Sequence, residues 1–155
     1  MKKALACLLL FLAFSTSFSQ TFTLSDSTFK VGSYYRTYEI LFDLGKCSLR
    51  PECVSNVDSI FTFLTKHPNL YIEIGVHSDS RGSDIKNQKT TYCRANDLKE
   101  YLVEKGIDIK RITAVGFGET KPVVKDAAIL KMKTKDEQEK GYALNRRVEF
   151  KITAL

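Results

Sequence analysis

Apolar residues in this chain switch repeatedly between helical and strand spacing, and that switching restricts the fold more than any other feature. Val54, Val57, Ile60, Phe61 and Leu64 recur at intervals of three and four, after a proline (Pro51) that suits a first helical turn. His67-Pro68-Asn69 ends that helix. Leu70, Ile72 and Ile74 then alternate with Tyr71 and Glu73, which predicts a strand. Tyr92, Ala95, Leu98 and Leu102 restore the helical interval, between a cap at Asn87 and a stop at Gly106. Residues 112–117 predict a third strand. Val148, Phe150 and Ile152, alternating with Arg147, Glu149 and Lys151, predict a last one. Upstream, the β-rich stretch 38–42 reads as a buried first strand. Residues 126–132 read as a short helix, and the charge run 133–140 as a solvated insertion. Strands alternating with helices predict an α/β fold, with helices packed on a mostly parallel or mixed sheet.

The length of 155 residues favours one domain. Met1-Lys2-Lys3, the apolar run 4–14 and the small residues of Ser17-Phe18-Ser19 form a signal-peptide pattern over residues 1–19. The run is too short to span a bilayer comfortably, and no other segment is long and apolar enough. The expectation is an exported, periplasmic protein with no transmembrane span in its mature chain. Cys7 lies at the start of the apolar run rather than after it, so lipidation is not expected. Residues 20–34 read as a polar leader whose Phe22, Leu24 and Phe29 pack on the domain edge, and 35–155 as the folded domain. The formal net charge of +6 includes Lys2 and Lys3, so the mature surface is only mildly basic. No basic block is interleaved with aromatics, and a nucleic-acid partner is not expected.

Export permits disulfides. Cys47 and Cys53 bracket a short proline-containing loop, which suggests a local bridge that leaves Cys93 unpaired; the alternative is free thiols.

One polar segment stands out. His77-Ser78-Asp79-Ser80-Arg81-Gly82-Ser83-Asp84 follows directly on a predicted strand and runs into the second long helix. Ligands of open α/β sheets gather at such strand ends. Asn87 and Arg94 are seven residues apart, nearly two turns, so they share a helix face and stand about 10 Å apart along the axis. Thr90 and Thr91 lie on or near that face. Asp79 can accept hydrogen bonds from an ammonium, and Arg94 can grip a carboxylate with its planar fork. Together they suit the free end of an amino acid. The same two residues also fit a plain internal salt bridge, and structural ion pairs are common at helix starts.

His77-Ser78-Asp79-Ser80-Arg81-Gly82, Asn87, Arg94-Ala95, Tyr101-Leu102, Gly106-Ile107, Arg111-Ile112, Gly116-Phe117-Gly118-Glu119 and Asn145-Arg146-Arg147-Val148-Glu149-Phe150 occur in that order. This series closely resembles the OmpA-like C-terminal domain, the peptidoglycan-binding module of outer-membrane and motor proteins. The likeness covers roughly residues 35–152. It implies a single domain with a βαβαβ-type mixed sheet, and non-covalent binding of the diaminopimelate in peptidoglycan stem peptides, anchoring or linking the envelope to the wall. By that pattern Asp79 and Arg94 contact the two ends of the ligand's amino-acid head group. Asn87 and Asp43 take supporting positions. Ser78 stands where the family usually has threonine and keeps the hydroxyl; Thr90-Thr91 stands where it usually has Leu-Ser, so Thr91 keeps a hydroxyl too. An outer-membrane protein is a further partner in keeping with this reading.

The other chemistry-bearing residues point to little. His67 and His77 are the only histidines, too few for a convincing zinc site, and the 79–84 stretch lacks the spacing and terminal glutamate of a calcium loop. No metal or other cofactor is expected. A thiol-dependent wall hydrolase built on Cys93 and His77 is the enzymatic alternative, but no sequence context supports that nucleophile. A protein without catalysis is expected.

Overall fold

The computed structural model describes residues 20–155; the expected signal peptide, residues 1–19, lies outside them. Strand β1 (Tyr34–Thr37) is followed by a 3-10 turn (Pro51–Cys53) that leads into helix α1 (Val54–Lys66). Then come β2 (Tyr71–His77), α2 (Asp84–Glu104), β3 (Ile112–Gly118), two short helices, α3 (Asp126–Ile129) and α4 (Lys135–Asn145), and β4 (Arg147–Ala154). The sheet order is β1-β4-β2-β3. β2 and β3 run parallel, and β4 is antiparallel to both its neighbours. A parallel pair needs a crossover, and α2 supplies it. This is the mixed α/β sheet that the alternating periodicities predict.

The periodicities work as expected because each element buries one face. Ile72, Ile74 and Val76 of β2 and Val148, Phe150 and Ile152 of β4 meet Val57, Ile60 and Leu64 of α1 and Ala95, Leu98 and Leu102 of α2. Removing a side chain of this size from water contributes about 1.5–3 kcal/mol. Helix α2 lies unusually close to β3. A Cβ on Gly116 would fall 2.2 Å from the backbone nitrogen of Tyr92, so only glycine permits the contact. Phe22, from the segment before β1, is buried and stacks on Phe63 with ring centroids 5.5 Å apart.

Several local expectations fail. The first strand is not 38–42 but Tyr34–Thr37, a short strand paired with β4 and bridged at Tyr34 to Thr21. The Glu39 N–H turns back onto Thr37 Oγ1, which ends the ladder. In the stretch beyond, Ile40 is buried while Tyr38 and Leu41 are exposed, and the stretch makes only an isolated bridge, Phe42 to Leu49, rather than a strand. The cap of α2 is Ser83, whose Oγ accepts from Lys86 N; Asn87 sits inside the first turn. The charge run is solvated, as expected, but it is helical. It forms most of α4, started by a capping box in which Thr134 Oγ1 accepts from Glu137 N and the Glu137 carboxylate accepts from Thr134 N. Ile129 of α3 is fully buried against Gly141 of α4.

The cysteines also pair differently. Cys47 is joined to Cys93, with Cα atoms 5.5 Å apart, and Cys53 is a free, buried thiol. The proposed Cys47–Cys53 bridge is therefore absent. Cys53 sits at the mouth of α1 with its sulfur turned to Leu41 N, while the loop carrying Cys47 folds over α2.

Candidate functional site

Strand β2 delivers the turn that carries Asp79. At its end the register with β3 slips by one residue between Val76 and His77, a bulge that redirects the chain. Ser78 N still bonds Gly118 O at 2.8 Å, and Asp79 follows beyond the sheet edge. Arg81 N donates to Asp79 Oδ1 at 3.0 Å, closing an Asx turn. Gly82, at φ 114°, takes the left-handed bend that leads into the Ser83 cap. Asn87 braces this turn from inside α2. Its Nδ2 donates to the carbonyls of Asp79 (3.2 Å) and Arg81 (3.4 Å) and to Glu119 Oε2 (2.6 Å).

Asp79 does not touch Arg94. Its buried carboxylate is held by two other arginines: Arg81 Nη2 at 2.7 Å and Arg146 Nη1 at 2.6 Å, both to Oδ2. Glu139 of α4 closes the ring, with Arg81 Nη1 at 2.8 Å and Arg146 Nη2 at 2.7 Å. Burial alone raises the Asp79 carboxyl, but the hydrogen bonds from Arg81 and Arg146 outweigh it and hold the pKa below the usual range. The Arg81 guanidinium, hydrogen-bonded to Asp79, is held in its charged form and lies 4.5 Å over the Tyr142 ring.

Arg94 is held in another way. Nε donates to Lys46 O and Nη2 to Asp43 O, each at 3.0 Å, and the guanidinium carbon lies 4.9 Å over the Phe42 ring. Among the described residues no carboxylate pairs with it. Burial pushes its pKa down, and no acidic neighbour pushes it back up. It is half-buried and carries an uncompensated charge.

Asp79 and Arg94 line one groove of about 610 Å³, with Phe42, Ser78, Arg81, Asn87, Thr90 and Arg146 in its walls. The other expected site residues divide. Asn87 lines the groove but its amide serves the turn. Ser78 Oγ is buried without a hydrogen-bond partner. The Thr91 hydroxyl is fully buried between α2 and β3, donating to Asn87 O and Gln88 O and accepting from Gly118 N. It ties the helix to the sheet and is not offered to a ligand. The Asp43 carboxylate turns to Lys46 and Arg50, and only its carbonyl reaches Arg94.

Sequence reasoning named neither Glu139 nor Arg146 as a site residue. The missed signal was Thr134-Lys135-Asp136-Glu137, a capping-box pattern that marks the charge run as a helix. Arg147 is buried and donates to Lys121 O, Asn145 O and Glu149 Oε1.

The sheet face away from α1 and α2 carries a second hollow of about 420 Å³, lined by Arg36, Arg147 and Glu149 among others. Its main charges pair with one another: Glu149 takes Arg36 and Arg147. His77 is buried beneath, stacked on Phe117. His77 Nε2 is 3.3 Å from Glu149 Oε2, but neither ring nitrogen makes a hydrogen bond of good geometry. Burial holds the His77 pKa below its ordinary value. With Cys93 locked in a disulfide and His77 buried in the sheet, the thiol–imidazole pair of the enzymatic alternative is not assembled. No group of three or more possible metal-ligating side chains occurs among the described residues.

Comparison with known proteins gives a consistent result. The model of the OmpA family matches residues 41–135. Outer membrane porin F of Pseudomonas fluorescens is 36% identical over 116 residues, which is 75% of this chain and 32% of that protein. Outer membrane protein A of Serratia odorifera is 32% identical over 120 residues, 76% of this chain and 49% of that protein. The chain thus spans between a third and a half of these relatives' lengths. Among solved structures, the cell wall anchor of the T6SS from Pseudomonas aeruginosa superposes with a TM-score of 0.60 at 27% identity, covering 79% of this chain and 80% of that one. The peptidoglycan-associated lipoprotein from Burkholderia pseudomallei shares the fold, with a TM-score of 0.58 at 23% identity over 73% of this chain and 87% of that one.

Proposed function

Because this chain belongs to the OmpA family, we propose that it binds peptidoglycan without catalysis, seating the free amino-acid end of a diaminopimelate residue between Asp79 and Arg94. One observation carries the reading: the acid and the base share a groove and do not neutralise each other. Arg94 keeps its charge and the unused N–H groups of its fork for an α-carboxylate. A carboxylate offers about four acceptor positions, and three on Asp79 are filled. The last, on Oδ1, accepts the α-ammonium. The names of a peptidoglycan-associated lipoprotein and a cell wall anchor among the structural neighbours support the same target. The signal-peptide pattern over residues 1–19 supports a periplasmic domain that links the wall to the outer membrane or to a protein in it.

The chemistry of the ligand supplies the test. Diaminopimelate carries an amino acid at both ends, whereas a lysine-type stem peptide ends in an amine alone. The protein should sediment with diaminopimelate-type sacculi and be competed off by a diaminopimelate tetrapeptide, not by its lysine counterpart. Equal competition by both peptides would refute the diaminopimelate specificity. Failure to sediment at all would refute peptidoglycan binding. Release of soluble fragments from the sacculi would refute the absence of catalysis.

A further inference from the structure

Arg94 takes its position from a loop that the rest of the fold holds only lightly. Residues 43–48 lie outside every strand and helix, and Leu44 within them is fully exposed. The Asp43 carboxylate spends its bonds on Lys46 and Arg50, close by in sequence. Among the described residues, the hydrogen bonds that tie 43–48 to α2 are the two from Arg94 to the Asp43 and Lys46 carbonyls, and just past the loop Leu49 N donates to Asp97 Oδ2 of α2 at 3.1 Å. The one covalent tie is the Cys47–Cys93 disulfide. Its placement is specific. Cys47 follows Lys46 directly and Cys93 precedes Arg94 directly, so the bridge lies one residue from the Arg94–Lys46 bond on both segments.

We infer that the Cys47–Cys93 disulfide is a positioning device for Arg94: it holds the loop carbonyls against α2, and they aim the guanidinium into the groove. The inference rests on the proposed use of that groove for an amino-acid head group. A free arginine side chain populates many rotamers, and fixing it on ligand binding weakens the complex. Two fixed acceptors do this beforehand. Reduction by a dithiol transfers two electrons and two protons to the sulfur pair; Cys47 and Cys93 become thiols, and the dithiol becomes a disulfide. The loop is then free to leave, and Arg94 loses its two acceptors without any change to Asp79.

The first test needs no ligand. The Arg94 Nε–H signal is followed by NMR hydrogen exchange with and without dithiothreitol. Exchange at Arg94 Nε and at the Arg50 and Leu49 amides is expected to quicken at least tenfold on reduction, while α1 and β2 stay protected. The Cys47→Ser, Cys93→Ser double variant should show the same without reductant. Unchanged exchange at Arg94 Nε overturns the inference. The second test measures affinity for a diaminopimelate tetrapeptide. Reduction should weaken wild type about tenfold. It should weaken Asp79→Asn by a similar factor, because that variant keeps Arg94, but should not further weaken Arg94→Lys. An equal additional loss in Arg94→Lys would show that the disulfide acts on stability generally, and overturns the inference. If reduction frees Arg94 Nε but neither redox form binds the peptide, the positioning role stands and the proposed ligand is wrong.

Discussion

Asp79 and Arg94 face one groove but are held by opposite means. The acid is buried among charges, inside a ring of Asp79, Arg81, Glu139 and Arg146. The base is held by neutral groups, two carbonyls and the Phe42 face. Charged partners fix a carboxylate firmly but cancel its field. Neutral dipoles fix a guanidinium and leave its charge for a ligand. Two opposite charges lining one groove can therefore keep unequal fields, and the difference lies in what holds them.

The sharpest way to break the comparison is Arg94→Ala. It removes the uncompensated charge and frees two carbonyls that water can reach. Affinity for a diaminopimelate tetrapeptide should fall by about two orders of magnitude, in line with two lost charge-assisted hydrogen bonds. Stability should change by less than about 1 kcal/mol. Calorimetric titration and thermal melting check the two parts.

The acid half should show the reverse pattern. Arg81→Ala or Arg146→Ala alone leaves Asp79 with one cation, and because both arginines are half-exposed each should cost less than about 1 kcal/mol. The double variant leaves a buried carboxylate without a charged partner, and should cost on the order of 2–3 kcal/mol. Chemical denaturation of the three variants reads this non-additivity. An additive result would mean that the ring does not act as a unit.

A smaller effect probes the path from α4 to the ring. Thr134→Ala removes the cap of the helix that carries Glu139 and should cost about 1 kcal/mol. It should loosen the Arg81 and Arg146 side chains and leave Arg94 unchanged, which NMR of the arginine Nε–H groups can separate.

The smallest effect is on pH dependence. Asp79 and Glu149 have folded pKa values below their unfolded ones. The stability they contribute is present above about pH 4 and is lost as pH falls through the folded values. For Glu149, burial works against this direction, and the His77 ring 3.3 Å away together with the hydrogen bond from Arg147 outweighs it. His77, also depressed, adds a loss that begins below about pH 6.5. Arg94 does not titrate in this range, so binding per folded molecule should stay flat from pH 8 to pH 5 while the melting temperature starts to fall. Melting curves and titrations across that range check it.

Most of the sheet and both long helices were legible in the sequence, because β2, β3, β4, α1 and α2 each bury one face and write that face as a local period. The first strand was misplaced because a four-residue strand has a weak pattern; Ile40, buried without being paired, drew the reading downstream. The acid and base were legible as types at a spacing. Their mutual independence was not, because Arg146 reaches Asp79 from 67 residues away and Glu139 accepts from Arg81 across 58 residues. The disulfide escaped for the same reason: it links partners 46 residues apart, and only folding brings them within reach.

The closed ring around Asp79 has one more consequence. Two positive and two negative charges alternate within it, so at a distance its field sums almost to nothing. Arg94 remains an unpaired positive pole beside it, and Lys86 is a second cation in the groove lining. An anionic fragment diffusing toward the groove is therefore steered by these two cations until it is within a few ångströms of the ring. Added salt, which shortens the reach of any lone charge to about 8 Å at physiological ionic strength, should slow the encounter while leaving the rate of departure nearly unchanged.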